Sequence, residues 1–93
     1  MDKILTFSIA AYNVEDTIEE TLSSLICDEE TMGRIEALIV DDGSADNTYD
    51  RVHPFIEKYP DTYTYVKKEN GGHGSTLTYS IQHAKGKYMR MLD

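Results

Sequence analysis

One cysteine, Cys27, in 93 residues excludes an internal disulfide, and nine Lys and Arg against 17 Asp and Glu leave a formal net charge of −8. The lack of a disulfide frame points to a reducing compartment and a cytoplasmic protein. The lack of a basic stripe excludes a general binder of nucleic acid polymers, which must neutralise phosphates. No apolar run approaches the roughly 20 residues that a membrane helix needs. Met1-Asp2-Lys3 leads into a short apolar segment with no signal-peptide cleavage pattern. Internal repeats, low-complexity tracts and linker-like stretches are absent as well. What remains is a globular composition, 40% hydrophobic. That is enough for the core of one small domain, which at this size buries roughly 60–65% of its unfolded surface.

Short β-type apolar runs alternate with segments of helical period. Residues 4–10 form the first strand, bounded by Tyr12 and Asn13. From Glu15, apolar residues at Ile18, Leu22, Leu25 and Ile26 mark one face of a helix that Asn13 or Asp16 can cap. Residues 35–40 are a second strand, apolar enough to be buried on both faces of a parallel sheet. A helix carrying Val52, Phe55, Ile56 and Tyr59 on one face follows, and Pro54 inside it should kink it or shift its start. Residues 62–67 give a third strand. Leu77, Ile81 and Ala84 mark a short helix that Gly86 can end, and residues 87–92 give a fourth strand. The order βαβαβαβ predicts an α/β fold with a mostly parallel, Rossmann-like sheet, because strands separated by helices cannot pair as hairpins. Ligands then bind at the carboxyl ends of the strands. The polar clusters fall there: Tyr12-Asn13, Asp41-Asp42-Gly43-Ser44, Asn70-Gly71-Gly72-His73-Gly74 and Asp93.

Asp41 and Asp42 end an apolar strand. A carboxylate pair there can accept from a base or ribose, or help hold a divalent cation. A turn with a helix cap accounts for Gly43, Ser44, Asp46 and Thr48, but not for two adjacent carboxylates. The glycine-rich segment 70–75 opens a helix and suits a phosphate cradle or a flexible connector. The Walker lysine and G-x-G-x-x-G are missing. His73 can meet a phosphate or lie exposed, while His53 and His83 fall on helix surfaces. Tyr12 stands apart from the other tyrosines because it follows strand one at the rim. A receiver domain is excluded, since strand one ends in Ala-Tyr-Asn and strand three in Lys-Lys-Glu. No G-x-S-x-G elbow supports a nucleophilic hydrolase. Cys27, at a helix end beside the apolar face, reads as packing.

In this order the motifs resemble the N-terminal, nucleotide-binding half of family 2 glycosyltransferases with the GT-A fold. Residues 8–15 resemble that family's opening strand and turn, Leu22-Ser23-Ser24-Leu25 its first helix, and residues 38–48 its most distinctive motif. Asn70-Gly71-Gly72-His73-Gly74 and residues 84–93 follow in place. The resemblance implies transfer of a sugar, usually with inversion, from a nucleotide diphosphate sugar to a saccharide, lipid or other acceptor. UDP is the leading donor nucleotide. It implies Tyr12 lining the base pocket, Asp42 accepting from the base, and Glu15 and Asp41 shaping the base or ribose site. Gly72 and His73 would lie near the base and diphosphate. Asp93 would open a D-x-D type motif whose later members bind Mn²⁺ or Mg²⁺. Ala10 stands where the family has proline, His73 where Lys or Arg is frequent, and Thr78 and Ser80 where Asn and Gly are common. On this reading residues 1–93 are the donor-binding part of a longer domain. The acceptor half, the general base and any membrane attachment lie beyond Asp93. The chain alone is then inactive, with strand four and its helix exposed and prone to self-association. A short nucleotide-sugar-binding module without catalysis, and a purely structural α/β domain, are the competing readings.

Overall fold

The computed structural model describes residues 2–69 and 73–92. Strands β1 (Leu5–Ala11), β2 (Ile35–Asp41), β3 (Tyr63–Lys67) and β4 (Tyr88–Leu92) form one parallel sheet in the order β3-β2-β1-β4. Helices α1 (Ile18–Ser23), α2 (Glu29–Met32), α3 (Thr48–Lys58) and α4 (His73–His83) connect them. The α/β alternation is as expected, with α2 added. The chain steps outward from β1 to β3, then returns through α4 to the far side of β1. The switch point therefore falls between β1 and β4.

The strand period of two divides the sheet into unlike faces. On one, Ile9, Ala11, Ile35, Ala37, Ile39 and Tyr63 meet Ile18 and Leu22 of α1 and Val52 of α3 in the main apolar core. Fully burying a side chain such as Leu22 or Ile39 contributes about 1.5–3 kcal/mol. The Tyr63 hydroxyl reaches out of this core to donate to the Leu22 carbonyl at 2.8 Å. Burial, with smaller contributions from Tyr59 and Cys27, pushes that phenol up to about 12.

The opposite face, under α4, is unexpectedly polar. Thr6 Oγ1 donates to Glu36 Oε1 at 2.8 Å, the Lys85 N–H donates to the same oxygen at 2.9 Å, and the Gly86 N–H donates to Thr6 Oγ1 at 2.9 Å. Ser8 and Ser80 share a hydroxyl hydrogen bond of 2.5 Å. Glu36 is 2% exposed and Thr6, Ser8 and Ser80 are fully buried. All seven residues of β2 are buried, as a strand covered on both faces requires, Glu36 included.

Two local expectations need correction, for the first helix and for Cys27, and Pro54 is found inside its helix. The helix from Glu15 is shorter than its apolar spacing implies. It ends at Ser23, neither Asn13 nor Asp16 caps it, and Ile26 is 41% exposed. Instead the Val14 carbonyl accepts the N–H groups of Thr17 and Ile18. Asp28 starts a new turn, α2, by accepting the Thr31 N–H at 2.8 Å. Cys27, between the two helices, is exposed and packs in no core. Pro54 does not displace α3, which starts at Thr48 and passes through it. The carbonyl that loses its helical partner is that of Asp50, an exposed residue open to water.

Gly86 does more than end a helix. A Cβ there would lie 2.6 Å from the Thr6 nitrogen and 2.8 Å from the Leu5 carbonyl carbon, both backbone atoms. Gly86→Ala should therefore destabilise the chain by about 1–3 kcal/mol, measured as a lower urea midpoint with unchanged slope.

Candidate functional site

The register aligns the strand ends at one rim: Ala11 pairs with Asp41 and Asp41 with Lys67. The ladder runs one residue further, with Asp42 N–H to the Ala11 carbonyl at 2.8 Å and Lys68 N–H to the Asp41 carbonyl at 2.9 Å. Strand alternation then sends the two adjacent carboxylates to opposite faces. Asp41 turns toward α3 and is 1% exposed. Its Oδ1 accepts the Ser44 N–H at 2.8 Å and its Oδ2 accepts the Tyr65 hydroxyl. Asp42 turns the other way, where its Oδ1 receives the Lys68 ammonium at 2.5 Å. Each carboxylate thus has its own compensation, which answers how two can end an apolar strand. Burial, then the hydrogen bond and charge of Asp41, push the Tyr65 phenol well above its usual range, so it stays a donor.

The loops after β1 and β2 are tied together. Asn13 adopts a left-handed φ of 52° and Gly43 one of 86°, conformations that asparagine and glycine tolerate. Asn13 N–H donates to Ser44 Oγ at 2.9 Å, and its side-chain oxygen accepts the Ala45 N–H at 2.8 Å. Val14 N–H donates to Thr48 Oγ1 at 3.0 Å and Glu15 N–H to Asp46 Oδ2 at 3.2 Å. Asp46 also accepts the Thr48 N–H at 3.0 Å, while the N-cap of α3 is Asn47, which makes no side-chain cap bond, so neither Ser44 nor Asp46 holds the expected cap position. Ser44 and Thr48, expected to serve the turn and the cap, hold the β1 loop as well.

Burial alone would raise the Asp46 carboxyl. The Thr48 hydroxyl and the N–H groups of Glu15 and Thr48 outweigh it and hold the group below the usual carboxylate range. A depressed folded-state value means that the tie is fully present above about pH 4 and is lost as pH falls through the lowered value. Amide shifts of Glu15 and Thr48 should move together in an acid titration, at a pH below the main carboxylate step. Asp46→Asn should abolish that shared step.

The sequence-derived candidates separate accordingly. Tyr12, 51% exposed, stands at the rim directly after Ala11, whose carbonyl holds Asp42. Glu15 is half-buried and engages through its N–H. Asp41 and Asp42 sit side by side at the rim, with different partners. His73 opens α4, but its side chain, like Gly72 and Asp93, lies outside the described residues. Among the described residues, no cluster of three or more His, Cys, Asp or Glu is placed to hold a metal ion. Sequence reasoning missed Tyr65 and Lys68. Neither was legible without the register between β2 and β3, which sets Tyr65 opposite Ile39, on the same face as Asp41.

A parallel α/β sheet with polar loops gathered at its carboxyl rim defines a ligand-binding fold of the nucleotide-binding kind. The model of glycosyl transferase family 2 matches residues 6–93, and the chain belongs to that family. An uncharacterized glycosyltransferase of Mycoplasma pneumoniae is 37% identical over 92 residues, 97% of this chain and 30% of its own length. The minor teichoic acid biosynthesis protein GgaB of Bacillus subtilis is 36% identical over 84 residues, 88% of this chain and 9% of its own. The chain thus spans less than a third of these relatives.

The solved structure of S. aureus TarS superposes with a TM-score of 0.86 at 26% identity, over 97% of this chain and 27% of that one. TarS has also been solved with UDP and with UDP-GlcNAc. The mannosyltransferase PcManGT of Pyrobaculum calidifontis, in complex with GDP-Man and Mn²⁺, superposes with a TM-score of 0.77 at 28% identity, over 90% of this chain and 25% of that one. The fold is therefore the GT-A type, and among the described residues no helix is long and apolar enough to cross a membrane.

Proposed function

We propose that residues 1–93 are the donor-binding part of a glycosyltransferase that takes a UDP-sugar and transfers the sugar, with inversion, to an acceptor hydroxyl. The observation that carries this reading is the tied pair of loops at the sheet rim, which fixes Asp42 beside an exposed Tyr12. Tyr12 offers a ring for the base to stack on, and Asp42 offers an acceptor to its edge. Asp41 holds the loop, Glu15 borders the pocket, and the family resemblance assigns Gly72 and His73, outside the described residues, to the diphosphate. The UDP complexes of TarS support uracil, and the Mn²⁺ in PcManGT supports a divalent ion, Mn²⁺ or Mg²⁺, bound with Asp93. Such an ion would neutralise charge on the departing nucleotide. The general base comes from outside these residues, so the chain alone binds donor without turning it over. Tyr88 on β4, an edge strand of the sheet among the described residues, and Ile81 on α4, 69% and 63% exposed, offer apolar surface for self-association. The exposed thiol of Cys27 suits a reducing, cytoplasmic setting.

Amide NMR titration with UDP, GDP and ADP, each with and without Mg²⁺, tests this. Saturable shifts at Tyr12, Asp42 and Gly71–Gly74 are expected, largest with UDP. A dispersed spectrum that ignores all three nucleotides would remove the donor-binding role.

A further inference from the structure

We propose that Asn13 sets the Tyr12 ring for stacking on the donor base, as a positioning residue that acts on the ligand through its neighbour. The inference rests on the donor-binding reading and deepens it. Tyr12 is 51% exposed and, among the described residues, makes no contact with another ring. Its direction is therefore set by the backbone on either side. On one side Ala11, 1% exposed, ends β1 in register with Asp41, and its carbonyl accepts the Asp42 N–H at 2.8 Å. On the other side stands Asn13. Tyr12 is the single residue between the sheet and that second anchor.

Asn13 is exposed, yet it is held in three ways. Its φ of 52° lies in the left-handed region, which a Cβ disfavours and asparagine tolerates better than most residues. Its N–H donates to Ser44 Oγ at 2.9 Å, and its side-chain oxygen accepts the Ala45 N–H at 2.8 Å. Both partners lie in the loop after β2, and that loop is itself fixed, because Asp41 accepts the Ser44 N–H and the Tyr65 hydroxyl. The next two N–H groups, of Val14 and Glu15, go to Thr48 and Asp46 just beyond. Three consecutive N–H groups thus answer to one segment. Released from these bonds, residue 13 would relax out of the left-handed region, and Tyr12 would turn with it. A ring held in place before the ligand arrives removes an ordering cost from binding. The position asks for tolerance of a positive φ and for a short side-chain acceptor. Aspartate offers both, glycine only the first, and alanine neither.

The test measures, by amide NMR at pH 7, the affinities of the 93-residue chain for UDP and for dihydrouridine diphosphate. The second ligand keeps the N–H, the carbonyls and the diphosphate, but its base is saturated and puckered, so the ratio of the two affinities reports stacking. A preference for UDP of about tenfold is expected in the native chain, the size of one base on an aromatic ring. Tyr12→Ala should bring the ratio to within about twofold. Asn13→Ala should bring it to within about threefold, Asn13→Asp should restore it, and Asn13→Gly should fall between. The charge that Asn13→Asp adds acts on both ligands alike and leaves the ratio untouched. A looser loop that still presented Tyr12 would weaken both ligands and keep the native ratio. That result, or failure of Asn13→Asp to restore the ratio, overturns the role of Asn13 and leaves donor binding intact. A native ratio near one does the same, because Tyr12 then stacks on nothing. No saturable binding of UDP by the native chain overturns the donor-binding reading, and this inference with it. Where Asn13→Ala loses its dispersed spectrum, Asn13→Gly replaces it, and a ratio equal to the native one overturns the role.

Discussion

Glu36→Ala should lower the unfolding free energy by about 3 kcal/mol, because it strands one buried and one part-buried donor at once. The Thr6 hydroxyl and the Lys85 N–H both lose their acceptor in a layer where Glu36 is 2% exposed and Thr6 fully buried. The damage spreads, since Thr6 Oγ1 also receives the Gly86 N–H and thereby fixes the entry into β4. Small α/β domains are stable by only about 5–15 kcal/mol, so such a loss removes a large fraction of the total. Urea unfolding followed by far-UV circular dichroism measures it. Glu36→Gln keeps a carbonyl oxygen in place and should cost about 1 kcal/mol. If the two variants proved equal, the carboxylate would not be holding these donors, and the polar layer would not be what seats α4 on the sheet.

That layer also shows where sequence reasoning stopped. The run from Ile35 to Val40 announces a doubly covered strand through its apolar content, and all seven β2 residues are buried. Glu36 inside that run gives no sign of its own burial, because its partners are the hydroxyl of Thr6 and an N–H 49 residues later. The parallel alternation was legible for a related reason: the longer helices carry a 3.6-residue stripe and the strands short β-type runs, both local patterns. The end of α1 and the start of α2 were not, because apolar spacing continued through Leu25 and Ile26 while the chain left the helix and Asp28 capped a new turn.

The site was legible to the same depth. Asp41, Asp42 and Tyr12 stand out by position, since polar residues directly after apolar strands must face the rim. Their partners come from other strands and loops. Tyr65 reaches Asp41 across 24 residues, Lys68 reaches Asp42 across 26, and Ser44 reaches Asn13 across 31. Spacing along one strand cannot reveal such pairs; only the registers of β2 on β3 and on β1 do. Ser80 makes the same point, because it finds its partner in Ser8, 72 residues away.

The two carboxylates should part company when each is removed. Asp41→Ala leaves the Ser44 N–H and the Tyr65 hydroxyl without an acceptor at a buried strand end, and should cost about 2–4 kcal/mol of stability. Because Ser44 also receives the Asn13 N–H, the β1 loop loosens with it, and amide shifts from Asn13 to Glu15 should broaden or move. Asp42→Ala releases Lys68, whose long stem can carry its ammonium to water, so the stability loss should be smaller than for Asp41→Ala. Its effect falls on binding. Loss of a charged acceptor for the base edge should weaken UDP by about ten- to a hundredfold, read by titrating each variant at a temperature where it is folded. The pairing of large stability loss with Asp41 and large affinity loss with Asp42 follows from strand alternation, which turns Asp41 toward the loop and Asp42 to the opposite face, together with the proposed donor site. Equal losses of affinity in the two variants, at equal stability, would mean that both carboxylates face the nucleotide. The internal bonds of Asp41 would then have to break when the donor binds.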